Sequence, residues 1–363
     1  VSALERRQER IAAELAERDL DALLVTDLTN VRYATGYVGS NGVAILSGER
    51  RLLFTDFRYV VSARAQTRGV EVVQAGRDLM DKVAATLGEI APGGRVGVEA
   101  ENMTLGRHSR LAEKLDGIAL VPTSGVVEGL RIVKEADEVA LVRQAAEIAD
   151  RAYAWLAAQR VVGRTERELA WELEGVMMRD GSEEPSFPII VAAAERGAMP
   201  HAVPSMEPIP PDTLMVVDMG ATVGGYRSDC TRTFATGPLP DELARAYELC
   251  LQAQRASLDA VRPGVAAAEL DGVARGAIEA GGMGERFGHG LGHGVGLDIH
   301  ERPWVRREGT ETIASGMVFT VEPGIYVEGL GGVRIEDLVV ATDGGVEVLT
   351  RFPKDLITLN GGR

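Results

Sequence analysis

One stretch constrains this chain more than any other: Val216-Val217-Asp218-Met219-Gly220-Ala221-Thr222-Val223-Gly224-Gly225-Tyr226-Arg227-Ser228-Asp229-Cys230-Thr231-Arg232-Thr233. An apolar run at 213–219 and a second strand pattern at 226–234 flank clustered glycines, which reads as a β-hairpin. A turn at Val223-Gly224 sets Asp218 opposite Asp229 on one face. Opposed residues on paired strands have Cβ atoms roughly 4.5–5.5 Å apart. Two carboxylates so close repel, and one takes a proton unless a cation lies between them. The pair is therefore a proton-sharing dyad or half of a metal site.

The same construction recurs further along. Strand patterns at 318–326 and 332–340 enclose Gly329, Gly331 and Gly332, and a turn centred on Gly329 sets Glu322 opposite Glu336. Between the hairpins, residues 288–301 (Gly-His-Gly-Leu-Gly-His-Gly-Val-Gly-Leu-Asp-Ile-His-Glu) hold His289, His293 and His300, three of the five histidines. Four carboxylates with an imidazole suit a pair of hard or borderline divalent ions: Mn, Co, Zn, Fe or Mg. A structural zinc site would use cysteine, and Cys230 and Cys250 have no such spacing. Two ions roughly 3.5–4 Å apart share bridging carboxylates and acidify a water between them. The chemistry this implies is hydrolysis of an amide, an ester or a phosphoester. Arg334, two residues before Glu336, shares its face and would temper the negative charge.

The remainder reads as two domains of mixed α/β character, 1–123 and 124–363. In the first, helix patterns at 4–17, 56–68, 78–87 and 107–115 alternate with strand patterns at 22–26, 42–46, 52–55, 95–99 and 118–121, an α/β layered arrangement. The glycine-rich segment 35–42 matches no phosphate-binding pattern and reads as a loop. Residues 122–130 read as the connection. A long helix follows at 134–161, with Leu141, Ala145, Ile148, Ala152 and Trp155 as its apolar stripe. Thr165-Glu166-Arg167-Glu168 is a capping box opening the next helix, 187–194 reads as a strand, and Pro200-His201 lies in a proline-bracketed loop. Helices at 241–261 and 266–280 lead to the histidine-rich loop. The order helix, helix, hairpin thus occurs twice.

A net charge of −15 without a basic cluster excludes nucleic acid and anionic membranes as expected partners. Two cysteines and no run of about 18 apolar residues point to a cytoplasmic protein without disulfides, leader or membrane span.

These motifs together resemble the Xaa-Pro peptidases, aminopeptidase P and proline dipeptidase, of the pita-bread metallopeptidases. The resemblance covers nearly the whole chain and rests on Pro200-His201, Asp218 through Thr233, 289–301, Thr320-Val321-Glu322-Pro323-Gly324-Ile325-Tyr326 and Gly332-Val333-Arg334-Ile335-Glu336-Asp337. It implies a creatinase-like N-terminal domain followed by a pita-bread catalytic domain. It also implies two divalent ions, manganese first with cobalt or zinc as alternatives, held by Asp218, Asp229, His293, Glu322 and Glu336. By the same resemblance Asp229 and Glu336 bridge the metals, and Glu322 manages the proton of the attacking water. His201 and His300 contact the scissile amide, and His289 lines the proline pocket. Arg334 and Tyr326 stand behind them. The expected substrate is a small proline-containing peptide, and the expected assembly a homodimer or homotetramer. Residues 192–197 depart from the common Ser-Gly pattern, at the mouth of the cleft.

The first expectation is an aminopeptidase releasing the residue before proline. The alternative is a proline dipeptidase restricted to Xaa-Pro dipeptides, sharing every ligand. A metal-free creatinase-like or binding protein is disfavoured because all five ligand positions are filled. Methionine aminopeptidase is disfavoured by the domain-like stretch of about 120 residues ahead of the catalytic part.

Overall fold

The computed structural model describes residues 2–359. Contacts divide the chain into two units, Val1–Arg131 and Ile132–Arg363.

The first unit is built on a six-stranded sheet. Its strands are β1 (Ala22–Val25), β2 (Val43–Ser47), β3 (Arg51–Asp56), β4 (Glu71–Ala75), β5 (Arg95–Glu99) and β6 (Ala119–Thr123), in the spatial order β4-β3-β2-β1-β5-β6. β2 runs antiparallel to both neighbours, whereas β1, β5 and β6 are parallel, as are β3 and β4. Around it lie α1 (Ala3–Glu17), α2 (Leu28–Thr35), α3 (Val60–Gln66), α4 (Met80–Ile90), α5 (Leu105–Ala112) and α6 (Val126–Arg131). Helix α1 starts on a capping box of Ser2 and Glu5 and buries Ile11 and Leu15. The 122–130 segment read as a connection instead holds the end of β6 and most of α6, which packs on α1 and α2.

Helix α2 escaped the periodicity reading, and the structure shows why. It has eight residues, too few to hold a helix by propensity alone. Its stability comes from its ends. The Asp27 side chain caps the Asn30 N–H, and Gly36 closes the helix with φ of 78°. Glu99, 7% exposed, lies at the end of β5 and accepts from Thr26 N–H at 2.6 Å, Asp27 N–H at 2.8 Å and the Asn30 amide at 2.8 Å.

The second unit contains α7 (Ala136–Ala157), α8 (Glu166–Arg179), α9 (Asp241–Ala260) and α10 (Ala267–Ala280). Its first strands are β7 (Ile190–Ala193), β8 (Leu214–Met219), β9 (Thr222–Val223), β10 (Tyr226–Arg227) and β11 (Cys230–Ala235). After the second helix pair come β12 (Gly292–Gly294), β13 (Glu301–Val305), β14 (Val318–Val321), β15 (Gly324–Val327), β16 (Gly331–Arg334), β17 (Asp337–Thr342) and β18 (Gly345–Val348). A three-stranded sheet, β11-β8-β7, and a five-stranded sheet, β13-β12-β14-β17-β18, are each extended by a short ribbon, β10-β9 and β15-β16.

The apolar stripe of α7 is wider than the sequence suggested. Ala145, Ile148 and Ala152 are buried, joined by Val142, Ala149, Tyr153 and Leu156, while Leu141 and Trp155 lie at its margin. This face packs with Val191, Val217, Cys230 and Phe234 of the three-stranded sheet. The Tyr153 hydroxyl bonds the carbonyls of Val217 at 2.9 Å and Cys230 at 2.7 Å, so α7 is fastened to the residues beside both aspartates. A second core gathers Leu243, Cys250 and Leu270 of α9 and α10 under Phe319 and Ile335. Among the described residues no helix is long and apolar enough to cross a membrane.

Removing the Glu99 acceptor leaves buried N–H groups unpaired, at ~1–3 kcal/mol for each. Glu99→Ala should therefore lower the stability of the first unit by about 3 kcal/mol. Urea denaturation monitored within that unit checks this, and an unchanged midpoint would contradict it.

Candidate metal centre

The aspartate hairpin pairs differently from the register read above. Thr231, not Asp229, stands opposite Asp218, and Tyr226 pairs with Val223. The turn is Gly224-Gly225, with φ of 56° and 76°, as a two-residue turn with positive φ at both centres requires. The register is therefore displaced by two residues. A slip of one residue would have turned every side chain over, whereas two preserves the face. Asp218 and Asp229 become diagonal neighbours rather than opposed ones, and their carboxylates still converge.

The glutamate hairpin pairs as read. Gly324 opposes Arg334 and Val321 opposes Asp337, which leaves Glu322 and Glu336 facing each other across the break at Pro323.

The two hairpins deliver their acids to one place. Ligand-type oxygens of Asp218, Asp229 and Glu336 all lie within 4.8 Å of one another, and all three residues are buried. His293 Nε2 stands 3.5 Å from Asp229 and 3.3 Å from Glu322, so it joins the fourth acid to the cluster. His293 Nδ1 donates to the Gly294 carbonyl at 3.1 Å, which leaves Nε2 as the nitrogen free to meet a cation. Gly292 lets this strand approach its neighbour. A Cβ there would lie 2.0 Å from the Thr320 carbonyl oxygen.

The charges respond to this crowding. Burial and the charges of Glu336, Asp218 and Glu322 push the Asp229 carboxyl well up. Burial and the charges of Glu322 and Asp218 do the same to Glu336. Asp218 is also raised by burial, against the opposing pull of Arg334. Glu322 goes the other way. Burial works to raise it, but the bond and charge of His293 hold it down at about 2, and Glu322 in turn raises His293 against its own burial.

Arg334 is the structural counterweight. Its Nη2 donates to Asp218 at 2.8 Å, its Nε to the Thr231 hydroxyl at 3.0 Å and its Nη1 to the Tyr326 hydroxyl at 3.0 Å. Thr231 passes the bond on, donating to Glu336 Oε2 at 2.6 Å. Thr320 likewise donates to Glu322 at 2.9 Å. One oxygen on each side remains unserved. Asp218 Oδ1 and Glu336 Oε1 are buried and have no hydrogen-bond partner among the described residues. The neighbouring Asp337 contrasts with them. Arg232, Gln254, Thr350 and Lys354 all bond it, so it is consumed by the fold. An unpaired buried carboxylate oxygen is costly, and a cation is the partner this oxygen-rich set with one imidazole suits.

The cluster forms the floor of a cavity of about 930 Å³. His201, His289 and His300 line it together with Tyr326. The rings of His293 and His300 meet edge to face at 4.3 Å. Burial, and then the charge of His293, lowers the pKa of His300 and keeps it neutral. His289 is lowered by burial too. Its Nδ1 donates to the Gly290 carbonyl at 2.8 Å, so Nε2 accepts the Tyr326 hydroxyl at 2.9 Å. The sequence reading missed the apolar wall of Phe187, Ile190 and Trp304, and Arg306 at its rim. Trp304 stands opposite His293 on β13, a strand that was not assigned from sequence and whose pairing was the only signal available.

Raised carboxyls and a raised His293 mean that the metal-free centre holds its protons more tightly than separate groups would, and ligation must expel them. Adding Mn²⁺ to metal-free protein in weak buffer at pH 7 should release protons, and affinity should rise with pH. Uptake without proton release would contradict the assigned donors.

Comparison with known proteins gives a consistent picture. The model described as metallopeptidase family M24 matches residues 140–343, and that described as the creatinase/prolidase N-terminal domain matches residues 7–133. The uncharacterized peptidase YqhT of Bacillus subtilis is 38% identical over 97% of this chain and 99% of its own. The structure of an Xaa-Pro dipeptidase from Bacillus anthracis superimposes with a TM-score of 0.94 at 38% identity, covering 98% of this chain and 99% of that one. An X-Pro aminopeptidase from Thermotoga maritima gives 0.88 at 35% identity, covering 97% and 99%.

Proposed function

The chain belongs to metallopeptidase family M24, and from that premise and its metal centre we propose that it removes the N-terminal residue from peptides whose second residue is proline. It is a hydrolase with a creatinase/prolidase N-terminal domain ahead of a pita-bread catalytic domain, as the resemblance implied. Family membership carries divalent ions and a peptide substrate with it.

Asp218, Asp229, His293, Glu322 and Glu336 are the residues that would hold two ions. In our reading manganese comes first, with cobalt or zinc as substitutes. When bound, the ions supply an acidified water and polarise the scissile carbonyl. Glu322, ionised and facing the cleft, is placed to take the proton of that water and return it to the leaving nitrogen. His201 and His300 are suited to donate hydrogen bonds at the amide, His300 as a neutral imidazole. His289, fixed by Tyr326, is suited to border the proline ring. The reading rests above all on Asp218 Oδ1 and Glu336 Oε1, two buried carboxylate oxygens that the protein leaves without a donor.

A cleft of about 930 Å³ lies near the top of the roughly 300–1,000 Å³ range that holds a drug-sized ligand. That leaves room beyond the proline and favours peptides over dipeptides. One observation favours the dipeptidase reading. Arg306 lines the cleft, its guanidinium over Trp304 at 5.5 Å, and forms no ion pair among the described residues. It would suit the free carboxylate of Xaa-Pro. We place the enzyme in the cytoplasm, where the two buried, unpaired cysteines are at home, and read it as a homodimer or homotetramer on the resemblance.

Asp229→Asn and Glu336→Gln should each abolish cleavage of Xaa-Pro-Yaa, whereas His201→Ala should keep its metal and lose roughly 10²-fold in kcat. Metal analysis beside initial rates checks both, and near-normal turnover in either carboxylate variant refutes the assignment. In a second assay, the tripeptide Xaa-Pro-Yaa should be cleaved with added Mn²⁺. Cleavage of the dipeptide Xaa-Pro alone would hand the assignment to the dipeptidase.

A further inference from the structure

Glu166 looks ordinary in sequence, an acid in the first turn of α8 where the helix dipole favours one. Its neighbour Glu168, not Glu166, makes the capping box with Thr165. Glu166 turns away from the helix, is 2% exposed, and accepts three hydrogen bonds from the segment that carries His201. Its Oε1 accepts the Ala193 N–H at 2.8 Å. Its Oε2 accepts the Ser205 N–H at 2.8 Å and the Arg196 Nε–H at 2.9 Å. A single buried carboxylate thus closes the neck of a loop whose two ends are Ala193 and Ser205.

Arg196 extends the closure towards the tip. Its Nε is held by Glu166 while its Nη2 donates to the Val203 carbonyl. On the other side of the tip, Arg334 Nη1 donates to the Pro200 carbonyl at 3.2 Å. Only His201 and Ala202 lie between those two anchored carbonyls, and His201 makes no hydrogen bond of its own among the described residues. The backbone around His201 is thus pinned at three places while its imidazole stays free to meet a ligand. Ala194 leaves β7 with φ of 50°, a conformation that costs a non-glycine residue ~1–2 kcal/mol and persists only where surrounding contacts impose it.

We infer that Glu166 and Arg196 are positioning residues that set His201 against the scissile amide. The inference rests on the proposed role of His201. Neither residue touches the metal ligands or the cavity, so their effect must travel through the loop. The bond pattern needs the arginine fork, since a lysine ammonium cannot reach Glu166 and Val203 from the two ends of one rigid plane. Misplacing a reacting group by about 1 Å can cost ~10²-fold in rate.

The test is a double-mutant cycle on the metal-loaded enzyme with Xaa-Pro-Yaa, comparing Arg196→Ala, His201→Ala and the pair. Arg196→Ala should lower kcat by about 10- to 10²-fold with metal content retained. In the His201→Ala background the same substitution should change kcat by less than about twofold. Arg196→Lys should fail to restore the rate. Glu166→Gln, which keeps the shape but not the charge, should show the same dependence on His201 and serves if Arg196→Ala folds poorly. An equal loss in both backgrounds, or no loss in the parent, overturns the inference while leaving the role of His201 intact. A normal rate in His201→Ala alone overturns that role, and the positioning function with it.

Discussion

Like charges held together out of water are the constraint around which this molecule is built. Asp218, Asp229 and Glu336 are each buried within reach of the others, with Glu322 joined through His293. Such an arrangement costs free energy that no surface network would have to offset. The fold meets the cost in two ways. Arg334 and the hydroxyls of Thr231 and Thr320 satisfy some of the oxygens, and paired strands hold the carboxylates where they would otherwise separate. What remains unsatisfied, Asp218 Oδ1 and Glu336 Oε1, belongs to that one cluster of acids.

The contrast between Glu336 and Asp337 shows how adjacent acids acquire opposite duties. Alternation along a strand sends their side chains to different faces. Asp337 enters a basic and polar cage of Arg232, Lys354, Gln254 and Thr350, which lowers its pKa against its burial. Glu336 receives one hydroxyl and keeps an oxygen free. Charge count alone does not mark an acid as a ligand. The number of donors that the protein spends on each is what separates Asp337 from Glu336.

How much of this was legible in the sequence follows from the range of the interactions involved. The glutamate hairpin could be read to its register because one glycine, Gly329, marks its centre. The aspartate hairpin was displaced by two positions because Gly224 and Gly225 both take positive φ, yet the face of the acids survived because strand periodicity is two. The convergence of the acids was therefore visible from local pattern. Features that depend on distant partners were not. Helix α2 owes its start to Glu99, some seventy positions away, and the His201 loop owes its closure to Glu166 on another helix. Trp304 and Arg306 join the cleft only because β13 pairs with β12.

The central claim is that the four carboxylates and His293 enclose a pair of divalent ions. Anomalous diffraction from crystals of the protein soaked in Mn²⁺ tests it most directly. The account predicts two peaks roughly 3.5–4 Å apart, both bounded by Asp218, Asp229, His293, Glu322 and Glu336. A manganese-saturated crystal with no density among these residues, or with ions only at surface acids, would contradict it.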